Sequence, residues 1–483
     1  MSLAEACAWS LVRGVTLALL ATPLCFLWCR LISSLSRDFR RIAWTALLAP
    51  FVCPNLLVGY VYANYSLSLV HHPFWNELLY DFLIMLKLVP VGTSVAYFAP
   101  QPPISPQAMH ARLLALGKSQ WTPGAVLASL GFWLRGPLVT ALPVAAVVFL
   151  LTFQEFQMVS LMGITAEGFH TPPSWTVWLF DAHVQGLMLR QSLQFAAAPA
   201  LCEIVVIFVV LWGVLAQRDL AAAGRVSTRP VPRATAAALA AYAAIALVFV
   251  CGVPLWILAA EAVSGFTLLW ENAALFREIG VGMLYAATAG LGAYGLAIVL
   301  LGRRLNLIRL GVVLAACLPG LCGALAISLA CSAMFQFGPL KSLYDTAIPL
   351  LAALVLWLLP RAIVIQLLLG TSGYSAAFHS VRLLAAAGSK RGEDFRELLW
   401  RLKLRGHFWA LTLVCFWGYL NMTAPSVLRP SGVAPAPLRL YDFMHYGRTS
   451  GLSAMVVATL ALPLLLTGAG LLGRRLLLRL FVR

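Results

Sequence analysis

Charge is what this sequence has least of. Of its 483 residues, 11% are Asp, Glu, Lys or Arg and 61% are hydrophobic. A soluble fold of that composition would have too little polar surface to cover itself. A soluble enzyme and a nucleic-acid-binding domain are thereby excluded, and a polytopic membrane protein remains. The net charge of +17 then matters for where it lies rather than for its size. A polytopic membrane enzyme, such as an acyl or glycosyl transferase using external His and Asp residues, is the least favoured reading, since the sequence offers it no clustered carboxylates or nucleophile constellation. The ten cysteines include no CxxC pair. Most fall in apolar runs and read as small buried hydrophobes, not as disulfides or metal ligands. Among the eight histidines no His-x3-His spacing occurs. His71, His72, His170, His183 and His445 therefore read as surface or interfacial residues, and no metal site is expected. No basic segment precedes the first apolar run, so Met1–Ser10 reads as the start of an uncleaved span.

What the chain has in abundance is long apolar runs. Stretches long enough to cross roughly 30 Å of hydrocarbon lie near 9–31, 43–63, 78–99, 138–153 and 194–215. A polar linker, Arg218 to Arg233, follows, and further runs lie near 235–258, 279–302, 310–334, 346–370, 407–423 and 453–473. Eleven spans with the N-terminus outside put 25 of the 34 Lys and Arg residues on the inside, with six outside and Arg13, Lys87 and Arg361 within spans. That asymmetry fixes the expected orientation, with the C-terminus cytoplasmic.

Two inside loops echo one another. His110-Ala-Arg112-Leu113-Leu114-Ala115-Leu-Gly117 in the first half is matched by His379-Ser-Val-Arg382-Leu383-Leu384-Ala385-Ala-Ala-Gly388 in the second. Each reads as a helix, a glycine that breaks it, and a second helix carrying tryptophan and basic residues. Thr122-Pro123 supplies an N-cap and a first-turn proline after the first glycine; after the second, Glu397 and Arg401 are spaced to pair along a helix. Leu179-Phe180-Asp181 and Gly186 recur as Leu440-Tyr441-Asp442 and Gly447. Six spans separate the two elbows, so the copies share one orientation and form a parallel repeat.

This arrangement resembles a fused pair of permease domains of type I binding-protein-dependent ABC importers. The family's loop motif is Glu-Ala-Ala, three residues, Gly, nine residues, then Ile-x-Leu-Pro. Gly117 and Gly388 match its glycine, and Leu127 and Leu398 its aliphatic position; Ala111 and Arg382 stand where the family has an acid. Phe153 to Gly163 and Leu440 to Gly447 resemble segments of ferric-iron and thiamine permeases. The resemblance implies an all-α polytopic membrane protein of about 11 transmembrane helices in two parallel five-helix permease repeats. Residues 1–217 would be the first repeat, 218–278 a linker plus an extra transmembrane helix, and 279–483 the second repeat. It further implies a bacterial inner (plasma) membrane location, with ferric iron, thiamine or a polyamine as cargo. Arg112, Leu113, Gly117, Arg382, Leu383 and Gly388 would form the loops that engage a cytoplasmic ABC ATPase dimer. A periplasmic or extracellular solute-binding protein would dock outside. No cofactor is expected on this chain, ATP-Mg belonging to the partner ATPase; Gly117-Lys118-Ser119 lacks the earlier glycine of a phosphate-binding loop, Arg112 standing in its place.

Charges within spans mark function by default. Asp81 reads as lying at the outer headgroup level and Lys87 as snorkelling. Glu203, deepest in its apolar run, is a candidate for the pathway, as are Glu155 and Asn421 after the fourth span of each half. A proton-coupled secondary transporter working through Asp81 or Glu203 is the alternative function.

Overall fold

The computed structural model describes residues 2–69, 71–98, 137–162, 173–217, 231–270, 273–301, 307–372, 405–444 and 450–481. All regular structure among them is helical, and the chain divides into two units, Met1–Asp181 with Ala197–Trp256, and Ala182–Ala196 with Ile257–Arg483.

In the first unit, α1 (Leu3–Ser34) opens with a capping box. The Ser2 hydroxyl accepts from Glu5 N at 3.3 Å, and Ser2 N donates to Glu5 Oε2 at 2.7 Å. Helix α1 packs along α4 (Pro73–Phe98) and α5 (Pro137–Phe153), which also pack on each other. The expected span 43–63 is two helices, α2 (Arg37–Val52) and α3 (Asn55–Ser68), bent by 67°. The break falls at Cys53-Pro54, where proline lacks an N–H and steers the residue before it away from helix. Helix α2 lies on α4, and α3 on the short α6 (Gln157–Met162). There follow α7 (Trp175–Val184), α8 (Leu189–Gln217) and α9 (Arg233–Ala246), which runs through a π-turn, Leu247–Gly252, into α10 (Val253–Trp270).

In the second unit, α11 (Ala273–Leu301) packs along α14 (Ile348–Ser372) and α15 (Arg405–Tyr419). Ala289, Ala293 and Ala297 recur every four residues on α11, and their small side chains let it approach Leu354, Leu358 and Val414 closely. The expected span 310–334 is again a bent pair, α12 (Leu307–Leu321) and α13 (Ala324–Gln336), turned by 100°. Gly323 makes that corner at φ +86°, a conformation only glycine adopts without strain. Helix α12 lies against α14 so closely that a Cβ on Gly320 would stand 2.3 Å from Leu356 O and 2.6 Å from the Pro360 ring. Helix α13 contacts α16 (Thr423–Leu428), and α17 (Ala436–Met444) packs on α11 and on α18 (Ser450–Phe481). Between α13 and α14, the exposed Asp345 carboxylate accepts from Ser431 N and Ser431 Oγ, each at 2.9 Å. Those two bonds, the backbone one foremost, hold its carboxyl below the usual range.

Helices occupy all eleven positions that the apolar runs mark. By length and composition seven of the described helices are able to cross a membrane, and nine when each bent pair counts as one span. Helices α5 and α15, of 17 and 15 residues, fall short of that length. Large apolar side chains such as Leu19, Leu465, Val299 and Phe208 are exposed along the long helices. Hydrocarbon is the solvent that suits such surfaces, so the chain is an all-α membrane-embedded protein.

Candidate functional site

The buried charges gather in the first unit, along α4. Its residues Glu77, Tyr80 and Asp81 recur at one-turn spacing, and Glu77 and Tyr80 meet α1 through Arg13. Arg13 of α1, 5% exposed, meets Glu77 through two parallel hydrogen bonds, Nε to Oε1 and Nη2 to Oε2, the second at 2.6 Å. The Arg13 guanidinium also lies over the Tyr80 ring, 5.0 Å from its centroid. A bidentate pair with an aromatic floor is the geometry in which a buried guanidinium recovers its lost hydration. Asp81 lies half-buried in the field of this pair.

Lys87, less than two turns further along α4, is 2% exposed and does not snorkel. Its ammonium donates to Pro50 O at 3.1 Å and to Cys53 O. These are carbonyls left without helical partners where α2 ends; a cation there also meets the negative end of the α2 dipole. The break, in a run that apolarity alone makes continuous, therefore explains the burial of Lys87. The same break is tied to the π-turn. Cys53 Sγ donates to Val250 O at 3.1 Å and Tyr62 OH to Phe249 O at 2.8 Å. A π-turn spaces its backbone bonds more widely, which leaves carbonyls for side chains to claim.

Glu155 lies within the field of Lys87. Its Oε2 accepts from Asn55 Nδ2 and its Oε1 from Met158 N, both at 2.8 Å. It thus caps α6 while holding the first residue of α3. Its own carbonyl accepts from Ser174 Oγ at 3.1 Å and Thr176 Oγ1 at 2.9 Å. Between them the fully buried Trp175 donates its indole N–H to Phe153 O at 2.8 Å. In the second unit Asn421, buried, caps α16 through Oδ1 accepting from Ala424 N at 2.9 Å. Arg361 donates to Trp357 O at 2.6 Å and stacks 3.8 Å from the Trp357 ring.

Glu203 of α8 stands apart. It is 0% exposed, and among the described residues neither carboxyl oxygen makes a hydrogen bond of normal geometry. The Gln154 side chain is the polar group facing it.

The structure therefore brings Arg13, Glu77, Asp81, Lys87 and Glu155 into one charged region, and leaves Asn421 in the other unit. Glu77 and Asn55 escaped the sequence reading, although Glu77 stands four residues before Asp81 on the same helix face. The coupling-loop residues Arg112, Leu113, Gly117, Arg382, Leu383 and Gly388 lie outside the described residues, as do His110, His170, His379 and His445. Among the described residues, no three His, Cys, Asp or Glu side chains are placed to hold a metal ion. Comparison of the chain with family models, with curated proteins and with solved structures gives no match.

Proposed function

We infer that the chain is the membrane-spanning permease subunit of an ATP-driven importer, with two parallel permease halves on one polypeptide. The observation that carries this reading is the order of elements in each half of the chain. A long helix, a bent pair, a long helix, the stretch that holds an elbow sequence, an apolar helix, a six-residue helix, a helix of nine or ten residues and a final long helix follow one another twice. Both bent pairs break after Pro-x-x-Cys, at Pro50–Cys53 and at Pro319–Cys322, and both six-residue helices are capped by the side chain two residues ahead, Glu155 or Asn421. Such correspondence in order, break and cap supports duplication of one folding unit. The cytoplasmic elbows around Gly117 and Gly388 would each seat one ATPase of a dimer. The outside segments 154–190 and 424–450 would receive a solute-binding protein. ATP binding would draw the elbows together and open the path outward. The membrane is the bacterial inner membrane, with the N-terminus outside, and ferric iron, thiamine or a polyamine is the cargo class. The chain itself performs no chemistry.

Deleting residues 110–125 should abolish association with the ATPase in pull-down, while the protein remains in the membrane fraction. Unchanged association would sink the assignment of that loop. The proton-coupled alternative draws on the buried carboxyl of Glu203. It requires uptake into vesicles driven by an ion gradient with no ATPase present.

A further inference from the structure

Among the described residues of the first unit, four carboxyl side chains are buried or partly buried, and three of them have a counter-charge or donors. Glu77 is held by Arg13, Asp81 lies in the field of the same arginine, and Glu155 accepts from Asn55 and from Met158 N. Among the described residues, Glu203 has neither a cation nor a hydrogen bond of normal geometry. Leu201, Val205 and Phe208 of its helix face outward, whereas Glu203 and Ile207 are turned in and buried. The titratable groups near it are Cys202 on its own helix and, beside Cys202, Cys7 of α1. An ionised carboxylate in such a place, stripped of water and unpaired, is far more expensive than a neutral acid. A protonated carboxyl has one donor and one acceptor, the complement of a glutamine amide.

We propose that Glu203 is a proton-binding site, loaded in this conformation. The neutral acid and the Gln154 amide then face each other as donor and acceptor, and the proton leaves when α8 parts from the turn at 154–156 and water reaches the carboxyl. Gln154 immediately precedes Glu155, the cap of α6, so proton release at Glu203 acts on the same turn that holds Asn55 and α3. The proposal does not depend on the importer reading.

The test is carbodiimide labelling of the full-length protein in native membranes, with the site mapped by mass spectrometry. A hydrophobic carbodiimide, dicyclohexylcarbodiimide, adds across its N=C bond to a protonated carboxyl, and the acyl group then migrates to nitrogen to give a stable N-acylurea. Label on Glu203, with Glu77 and Glu155 unlabelled and with no label there from a water-soluble carbodiimide, is the expected result. A Glu203→Gln variant should lose that label. An unlabelled Glu203, or equal labelling by the water-soluble reagent, overturns the proposal, because the carboxyl is then ionised or in water. Protection of Glu203 by sodium at constant pH overturns it as well, in favour of a metal cation as the ligand. Pull-down of the ATPase reads the importer assignment separately, so failure of one does not disguise failure of the other.

Discussion

Replacing Gly320 by alanine sets packing between α12 and α14 against helix propensity. The added methyl would lie 2.3 Å from Leu356 O and 2.6 Å from the Pro360 ring, so the two helices must separate by about 1 Å to restore van der Waals contact. Overpacking costs about 1–3 kcal/mol, and the upper end applies because the obstacles are a backbone carbonyl and a proline ring rather than the tip of a flexible side chain. Alanine returns about 1 kcal/mol of helix propensity. The net loss is about 2 kcal/mol, or roughly 4–8 °C in Tm for a cooperative unit of this size. Gly295→Ala on α11 is the matched control, since a methyl there meets nothing within 4 Å. It keeps the propensity gain and should raise Tm by about 2–4 °C. Detergent-solubilised protein heated in steps and followed by size-exclusion chromatography with tryptophan fluorescence reads both variants. If the two variants melt within about 2 °C of each other, the close approach of α12 to α14 is not what holds Gly320 in place.

Lys87→Met keeps the length of the side chain and removes the ammonium from Pro50 O and Cys53 O. It should lower thermal stability by about 1–3 kcal/mol through the orphaned carbonyls and raise hydrogen exchange at the 53–55 break. Glu155→Gln retains an acceptor for Met158 N and should cost less than Glu155→Ala, and Asn421→Asp less than Asn421→Ala, each alanine losing about 1 kcal/mol of cap; thermal melts rank the four. For Asp345 the carboxyl is held low by Ser431. Its contribution is therefore complete above the ordinary aspartate value, about pH 4, and disappears as pH falls through the lower folded value. Protection of the Ser431 amide, corrected for intrinsic exchange rate, should persist at pH 6 in the wild type and be lost there in Asp345→Ala.

Helix positions were legible because apolar runs of membrane length have few alternatives. The corners were not, although their signals were present. Runs 43–63 and 310–334 are apolar throughout, and hydrophobicity alone joins what Cys53-Pro54 and Cys322-Gly323 divide. The pairing of Arg13 with Glu77, 64 residues away, depends on how α1 lies against α4, which no local pattern encodes. The burial of Lys87 depended in turn on the unseen break, since carbonyls released by one helix are what draw the ammonium of another inward. Glu203 was legible as a deep carboxyl from its apolar surroundings; that it faces Gln154 and, among the described residues, no cation was a tertiary fact.

The π-turn at 247–252 also sets a phase. A turn of this kind accommodates one residue more than the α-turn it replaces, so deleting a single residue inside it lets the helix close and leaves everything beyond facing as before. The same deletion between Val253 and Ala262 has no slack to absorb it and rotates each later side chain by about 100°. The places of Ala262 and Leu269, buried in the second unit's core, would pass to Val263 and Trp270, now 76% and 81% exposed. One missing residue thus either turns the later helix face or spares it according to which side of Gly252 it falls, the cost within the turn being the carbonyls that Cys53 and Tyr62 bond.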